Sequence, residues 1–252
     1  MYHRFKNRIA LSGALKAETA LYIGAGQESF SPMAVQGSLL KNAQGQPYIP
    51  GSSLKGVLRS FLESVQAFEN CVSCKGDYDK KEKRQAEIKK QGGEDKFAAF
   101  VQERSCPACR LFGSGVMAGK LKFADAALLN TDAWMGTELR TGNAIDRDTH
   151  TAVSSALFDT EVIPSGTRFL LRITAENLTV EEAGIFSELM RFFAEGGITV
   201  GGRSRAGLGM VSVGDIEVKA SYMEPGRFAP ATESAQLASL AAFLKEKEAA
   251  YV

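Results

Sequence analysis

What most constrains the fold of this chain is the order in which its hydrophobic spacing changes, from a period of two to the helical period and back, twice over. Ile9, Leu11 and Leu15 roughly alternate with polar or small residues, as in a half-buried strand. After a loop carrying Gly24, Gly26, Ser29 and Ser31, the segment PYIPGSSLKG leads into Leu54, Val57, Leu58, Phe61, Leu62, Val65 and Phe68, a single apolar helix stripe. Pro50 and Gly51 break the extended chain, and Ser52 or Ser53 is suited to cap the first amides, which predicts a helix over 53–68. Strands are expected over 120–129 and over 168–175, where Phe169, Leu171 and Ile173 alternate. Thr179 and Glu182 form a capping box for a second helix, striped by Ile185, Leu189, Phe192 and Phe193 and ended by Gly196 and Gly197. A last core strand is expected over 208–218.

Strand, helix, strand, strand, helix, strand is the split βαβ order of ferredoxin-like and RNA-recognition domains, so the expected class is α+β, an antiparallel sheet backed by two helices. That minimum uses under half of the 252 residues. The expectation is therefore one domain over 1–252 with two long insertions. The first, 69–119, holds all four cysteines; the second, 130–164, is a polar, Thr-rich excursion between adjacent strands. Leu237, Leu240, Ala241 and Leu244 predict a closing or partner-facing helix over 234–249.

Composition excludes disorder and an all-over polycation: 44% of residues are hydrophobic, and 30 basic against 29 acidic side chains leave a formal charge of +1. Any anion-binding face must be local, as in Lys80 to Lys90, which carries six positive and two negative charges. The first residues, MYHRFKNRIALSG, lack the apolar run of a secretory signal, and no stretch approaches a membrane span, so a cytoplasmic protein with no membrane association is expected. In a reducing compartment, cysteines hold metals more often than each other. Cys71-x-x-Cys74 and Cys106-x-x-Cys109 form two hooks separated by 31 residues, and four thiolates suit structural, tetrahedral zinc with no open position for water. Redox dithiols or four packed cysteines are the competing readings.

Two stretches have the chemistry of an anion grip. At PGSSLKGVLR, a helix start exposes amides among small residues at Gly51, Ser52 and Ser53, with Lys55 and Arg59 on one face; an ordinary capped helix is the alternative, and the order is not that of a Walker loop. From Gly196 to Gly209 there are six glycines in fourteen residues, and Gly201, Gly202, Arg203 and Arg205 combine amides with guanidiniums; a flexible turn is the alternative. Catalytic signals are sparse. His3 and His150 sit in no recognisable triad, and Asp146 with Asp148 is the densest acidic pair, a pattern also typical of solvated turns.

LYIGAG at Leu21 to Gly26, PYIPGSSLKGVLR at Pro47 to Arg59, CRLFGS at Cys109 to Ser114, NAIDRDTHTA with ALFDTEVIPSGTRF at Ala156 to Phe169, and GGRSRAGLG at Gly201 to Gly209 together resemble the RAMP superfamily. The likeness covers most of the chain and points in particular to the backbone subunit of type III CRISPR effector complexes. It implies a modified RNA-recognition fold whose copies, or paralogous RAMP subunits, stack along crRNA and present complementary target RNA. The PGSSLKG helix and glycine-rich loop would grip the guide backbone. A thumb-like hairpin would fall within 140–164, and a zinc-braced basic insertion also occurs in relatives. Active members carry an aspartate between the first strand and the Pro-Gly-Ser-Ser helix; here Gln36 stands at that position, with Glu28 and Asp146 as substitutes. A neutral amide cannot accept a proton, so no catalytic residue is assigned. The leading expectation is a binding and assembly subunit. A metal-independent endoribonuclease that cuts target RNA or processes guide RNA competes with it, as does a stand-alone zinc protein acting on small phosphate compounds.

Overall fold

Strand β1 (Asn7–Ala17) runs through the middle of the main sheet, pairing antiparallel with β6 (Arg168–Glu176) on one side and β7 (Val211–Tyr222) on the other. Its alternation slips at a bulge between Ser12 and Ala14, so that Gly13, Ala14 and Leu15 are buried in succession. The computed structural model describes residues 5–25, 37–65, 71–74, 80–129, 131, 134–223 and 229–249. With β2 (Leu121–Phe123) and β8 (Ala231–Ala235) the strand order is β2, β6, β1, β7, β8, and β3 (Ala127–Leu128) also pairs with β6. The molecule is thus a mixed α/β structure with antiparallel sheets.

Helix α1 (Gly51–Val65) buries Leu54, Leu58 and Leu62, and α5 (Val180–Ala194) buries Phe186, Leu189, Met190 and Phe193. These side chains and Ile9, Leu11, Phe169, Leu171 and Ile173 of the sheet form one core. Phe61 and Phe192 stack between the helices with centroids 4.5 Å apart. The capping box at the start of α5 is present, and Glu182, fully buried, also binds the buried Lys120 ammonium at 2.5 Å, tying the entrance of β2 to α5.

Among the described residues between α1 and β2 lie the helices α2 (Lys81–Gln91), α3 (Glu94–Glu103) and α4 (Pro107–Phe112). Strands β4 (Glu138–Ile145) and β5 (Ala152–Val162) form a separate two-stranded sheet. A tail helix, α6 (Leu240–Ala249), buries Leu240 and Leu244.

Three expected elements are altered. The strand over 120–129 is broken into β2 and β3, because Asp125 turns its carboxylate to the Gly51 amide and Ala126 bridges Ile49. The tail helix starts at Leu240 rather than residue 234, since Ser234 and Ala235 are held in the ladder opposite Lys219 and Val218. The first helix begins two residues early, at Gly51, and its expected end at Phe68 lies outside the described residues. Among the described residues, no helix is long and apolar enough to cross a membrane.

The register fixes which loops share an end of the sheet. Lys16 pairs with Arg168 and Ala17 with Val211, so the exit of β1 and the entrances of β6 and β7 lie together. A bridge from Leu21 to Ile163 holds the LYIGAG segment at this end, and one from Ile49 to Ala126, next to β3, brings the chain entering α1 toward it. The CRLFGS segment lies instead by the exit of β6, where the Lys120 amide donates to the Leu111 carbonyl and the Glu176 amide to that of Lys120.

Candidate nucleic-acid interface and metal centre

The cysteine cluster follows from two local turns. Cys71 and Cys74 flank one tight turn; Cys106 is the N-cap of α4, with Pro107 in the first turn and Cys109 one turn on. All four Sγ atoms lie within 4.8 Å of one another, and none is in a disulfide. Cys74 Sγ is 3.7 Å from Cys106 Sγ and 3.4 Å from Cys109 Sγ. A tetrahedron of sulfurs around an ion bound at ~2.3 Å has edges near ~3.8 Å, so the spacing fits. Backbone amides favour negative sulfur: Cys71 Sγ accepts from the amides of Cys106 at 3.2 Å and Cys74 at 3.4 Å. Burial pushes the Cys71 thiol up, but these amides outweigh it and bring it down to about 7. Burial and the Cys71 sulfur push Cys74 up to about 12, and burial with the Cys74 contact raises Cys109 as well. Four sulfurs this close cannot all carry charge without a cation, and the soft, closed donor set suits a structural, thiophilic metal ion.

Around this centre runs a groove of about 540 Å³ lined by Lys55, Arg59, Ser73, Cys74 and the stretch Phe112 to Gly115 with Met117 to Gly119. No carboxylate among the described residues pairs with Lys55. Arg59 is already engaged: Nε donates to Glu63 Oε1 at 2.8 Å, Nη1 to the Gly113 carbonyl at 2.9 Å, and Nη2 reaches Cys109 Sγ at 4.0 Å. The helix start itself is not an open anion site at Gly51. The Gly51 amide donates to Asp125 Oδ1 at 2.8 Å, and a Cβ on Gly51 would meet the Phe123 carbonyl oxygen at 2.4 Å. Asp125 thus does the capping expected of Ser52 or Ser53. Those serines fall inside the first turn, too late to cap it, and Ser52 is exposed.

Where β1 leaves the sheet, the glycine-rich loop docks on the LYIGAG segment. Gly202 donates its amide to the Tyr22 carbonyl at 2.9 Å, and Gly201, at φ +88, has no room for a Cβ, which would lie 2.4 Å from that oxygen. Arg203 is held in the left-handed region at φ 59. Its guanidinium carbon lies 5.3 Å from the Tyr22 ring centroid and 5.0 Å from that of Phe158, on β5. Arg205 is exposed on the next 3-10 turn, with no carboxylate partner among the described residues. Tyr22, Phe158 and Asp125 were not singled out by sequence; a lone aromatic beside two glycines in LYIGAG was the available signal for Tyr22.

The sheet face turned away from the helices carries cations that are partly paired. Arg8, Arg168, Arg172 and Lys219 stand there, but Arg8 and Lys122 are paired with Glu176 and Arg168 with Asp215. Strands β1 and β6 themselves project no aromatic ring from it, and Arg8 lies 5.7 Å from the Phe5 ring centroid.

The acidic pair stands apart from both motif clusters, at the tip of the β4–β5 hairpin. Asp146 Oδ1 accepts from the amides of Asp148 at 2.9 Å and Thr149 at 2.8 Å and from the Thr149 hydroxyl at 3.0 Å. The Thr149 amide and hydroxyl, then the Asp148 amide, hold this carboxyl below its ordinary range. It is built into a turn. Glu28, Gln36 and His3 lie outside the described residues.

A family model described as the RAMP superfamily matches residues 14–212, which span Tyr22, Lys55, the four cysteines, the hairpin and Arg203. The chain is 25% identical over 226 residues to the CRISPR system Cms endoribonuclease Csm3 of Methanocaldococcus jannaschii, covering 84% of this chain and 81% of that protein. It is 29% identical over 176 residues to the protein of the same name from Streptococcus thermophilus, covering 62% of this chain and 67% of that protein.

Proposed function

The chain belongs to the RAMP superfamily, and from that footing we propose that it is a guide-RNA-binding backbone subunit of a type III CRISPR interference complex, stacking with copies of itself or paralogous RAMP subunits along crRNA and presenting target RNA. The observation that carries this reading is the Arg203 stack. It draws the glycine-rich loop, the LYIGAG segment and the hairpin strand β5 to one corner, while Lys55 lines the separate groove beside the cysteines. Such a corner combines the cations of Arg203 and Arg205 with aromatic rings, which suits a single-stranded backbone read by shape and charge.

The strand order β2, β6, β1, β7 with α1 and α5 on one face supports the ferredoxin-like reading of a modified RNA-recognition fold over 1–252. In this reading 69–119 is an insertion braced by structural zinc at Cys71, Cys74, Cys106 and Cys109, and the hairpin within 130–164 is the thumb. Gly201, Gly202, Arg203, Arg205, Ser52, Ser53 and Lys55 are the proposed RNA contacts, with Gly51 and Arg59 holding the helix in place.

Binding of short single-stranded RNA at low salt tests the reading. The variant Lys55→Ala with Arg203→Ala is expected to lose affinity, and the slope of log affinity against log salt should shrink by about 0.7 for each phosphate contact removed. Absence of binding by the wild-type chain, or indifference to both substitutions, sinks the proposal.

A second reading, metal-independent endoribonuclease, is favoured by the activity printed in the names of both relatives. It is separated by a labelled target annealed in the assembled complex, with and without chelator. Regularly spaced cuts that vanish in Asp146→Ala favour the enzyme; uncut target favours the scaffold.

A further inference from the structure

We infer that Arg59 is a positioning residue that couples the four-cysteine centre to the groove around Lys55, so that a metal ion held by the cysteines and a nucleic-acid phosphate held at Lys55 strengthen each other's binding. The inference rests on the RNA-binding reading above and adds a regulator to the same surface.

Lys55 and Arg59 are four residues apart on α1 and share a face. Only Lys55 is free of partners among the described residues. Arg59 spends its donors inside the protein, on Glu63, on the Gly113 carbonyl and on Cys109 Sγ. A guanidinium committed in three directions cannot clamp a phosphate without giving up one of them. It can, however, fix the helix relative to both walls of the groove.

Those walls are extensions of the two cysteine hooks. Ser73 and Cys74 come from the first, and Gly113 to Gly119 leave α4 directly after the second. A buried contact between Ser73 and Ser105 hydroxyls at 2.5 Å joins the hooks behind the sulfurs. Whatever fixes the sulfurs fixes the width of the groove, and Arg59 transmits that geometry to α1.

Charge demands the same residue. Four thiolates around a divalent ion keep a net charge near ~−2, which by itself would repel a phosphate a few ångströms away. The Arg59 cation stands between Cys109 Sγ and the groove and offsets that repulsion. Removing it should leave metal and RNA binding antagonistic or independent; with it they are cooperative, and linkage makes the effect reciprocal.

The test uses metal-loaded protein in three forms: wild type, Arg59→Met, and Lys55→Ala. Release of the metal to a coloured chelator is followed with and without a short single-stranded RNA, and RNA affinity is measured across a salt series. Arg59→Met should retain about one metal per chain yet release it about tenfold faster, and bind RNA about tenfold more weakly with an unchanged salt slope. Saturating RNA should slow release in wild type and not in Arg59→Met. Lys55→Ala should lose RNA affinity with normal release in the absence of RNA. If Arg59→Met does not fold, Arg59→Lys, which keeps the charge and loses the fork, is read in its place. Unchanged metal release in the Arg59 variant overturns the coupling. So does a salt slope lowered by about 0.7, the mark of a direct phosphate ligand. A wild-type protein that binds no RNA defeats the functional reading instead, while the release rates without RNA still report whether Arg59 supports the centre.

Discussion

The segment between α1 and β2 sends Cys71, Cys106, Ala108, Cys109, Leu111 and Phe112 into the main core, whereas the β4–β5 hairpin turns Leu139, Ile145, Val153 and Leu157 toward solvent. Both are long departures from the same sheet, yet their polar residues are handled in opposite ways. In the first, α2 buries no residue at all and is carried by neighbours that are tied down at the sulfurs. In the second, the two strands form a ribbon of their own, and among the described residues it is attached near the base: Gly37 bridging Thr160 and accepting from the Glu161 amide, Arg203 on Phe158, and Glu161 binding Lys41, Thr137 and the Leu39 amide. In the proposed reading the first departure is a brace that keeps the groove in shape. The other is a two-stranded arm that keeps those four apolar side chains exposed.

The contrast is broken most severely at the centre of the brace. Cys106→Ser removes a sulfur that also caps α4 and sits beside three others, so it should abolish metal binding and lower stability by about 4 kcal/mol or more. Metal analysis should fall from about one ion per chain toward zero, and denaturant unfolding should show the loss. If the serine variant held its metal and its stability, the cysteines would be packing residues and the brace would be misread.

Next in size is the hinge of the arm. Arg203→Ala removes two ring contacts and should cost about 1–2 kcal/mol, felt locally. Amide exchange should accelerate in β4 and β5 while α1 and α4 keep their protection. Uniform acceleration across the sheet would mean that the hairpin is not an independently hinged unit.

A smaller effect comes from acid. Burial raises the Glu161 carboxyl, but the Lys41 ammonium, the Thr137 hydroxyl and the Leu39 amide outweigh it and hold it below the ordinary range. The folded form therefore binds its proton less readily than the unfolded chain. Its stabilisation is complete above the unfolded value near ~4.3 and is lost as pH falls through the lower folded value. Glu161→Gln should remove that part of the acid sensitivity, seen as a flattened stability profile below about pH 4.5, without touching the cysteine centre.

How far the sequence could announce this contrast depends on the range of the interactions involved. The stripe of Leu54, Leu58 and Leu62, the Thr179–Glu182 box and the two Cys-x-x-Cys hooks are local patterns, written within one or two turns, and they were legible. The Gly51 cap was not, because Asp125 is 74 residues away and its demand on the chain is also what splits the expected strand over 120–129. Strand β8 (ATESA) has no apolar alternation and is held by ladder bonds to β7, so its last two residues, Ser234 and Ala235, read as the start of a helix. The Arg203 stack joins rings from two distant segments, which no local pattern in the glycine loop announces. Arg59 misled for the same reason: its position on the helix face was clear, its three internal partners were not.

The smallest expected change tests the arm's outer surface. Leu157 is 69% exposed and lies across the hairpin from Asn143, so it contributes little to the folded chain. Replacing it with Ser should shift stability by less than about 0.5 kcal/mol, since an exposed side chain has little burial to lose. A two-stranded ribbon that keeps such residues bare has no folding reason to do so, because a lone hairpin gains nothing from apolar side chains that meet only water. If their use is contact with guide–target RNA or a neighbouring subunit, Leu157→Ser should leave the thermal midpoint unchanged while weakening complex assembly or target capture severalfold. A large drop in stability would instead place Leu157 in a packed interface of this chain, and the arm would prove to be a second brace.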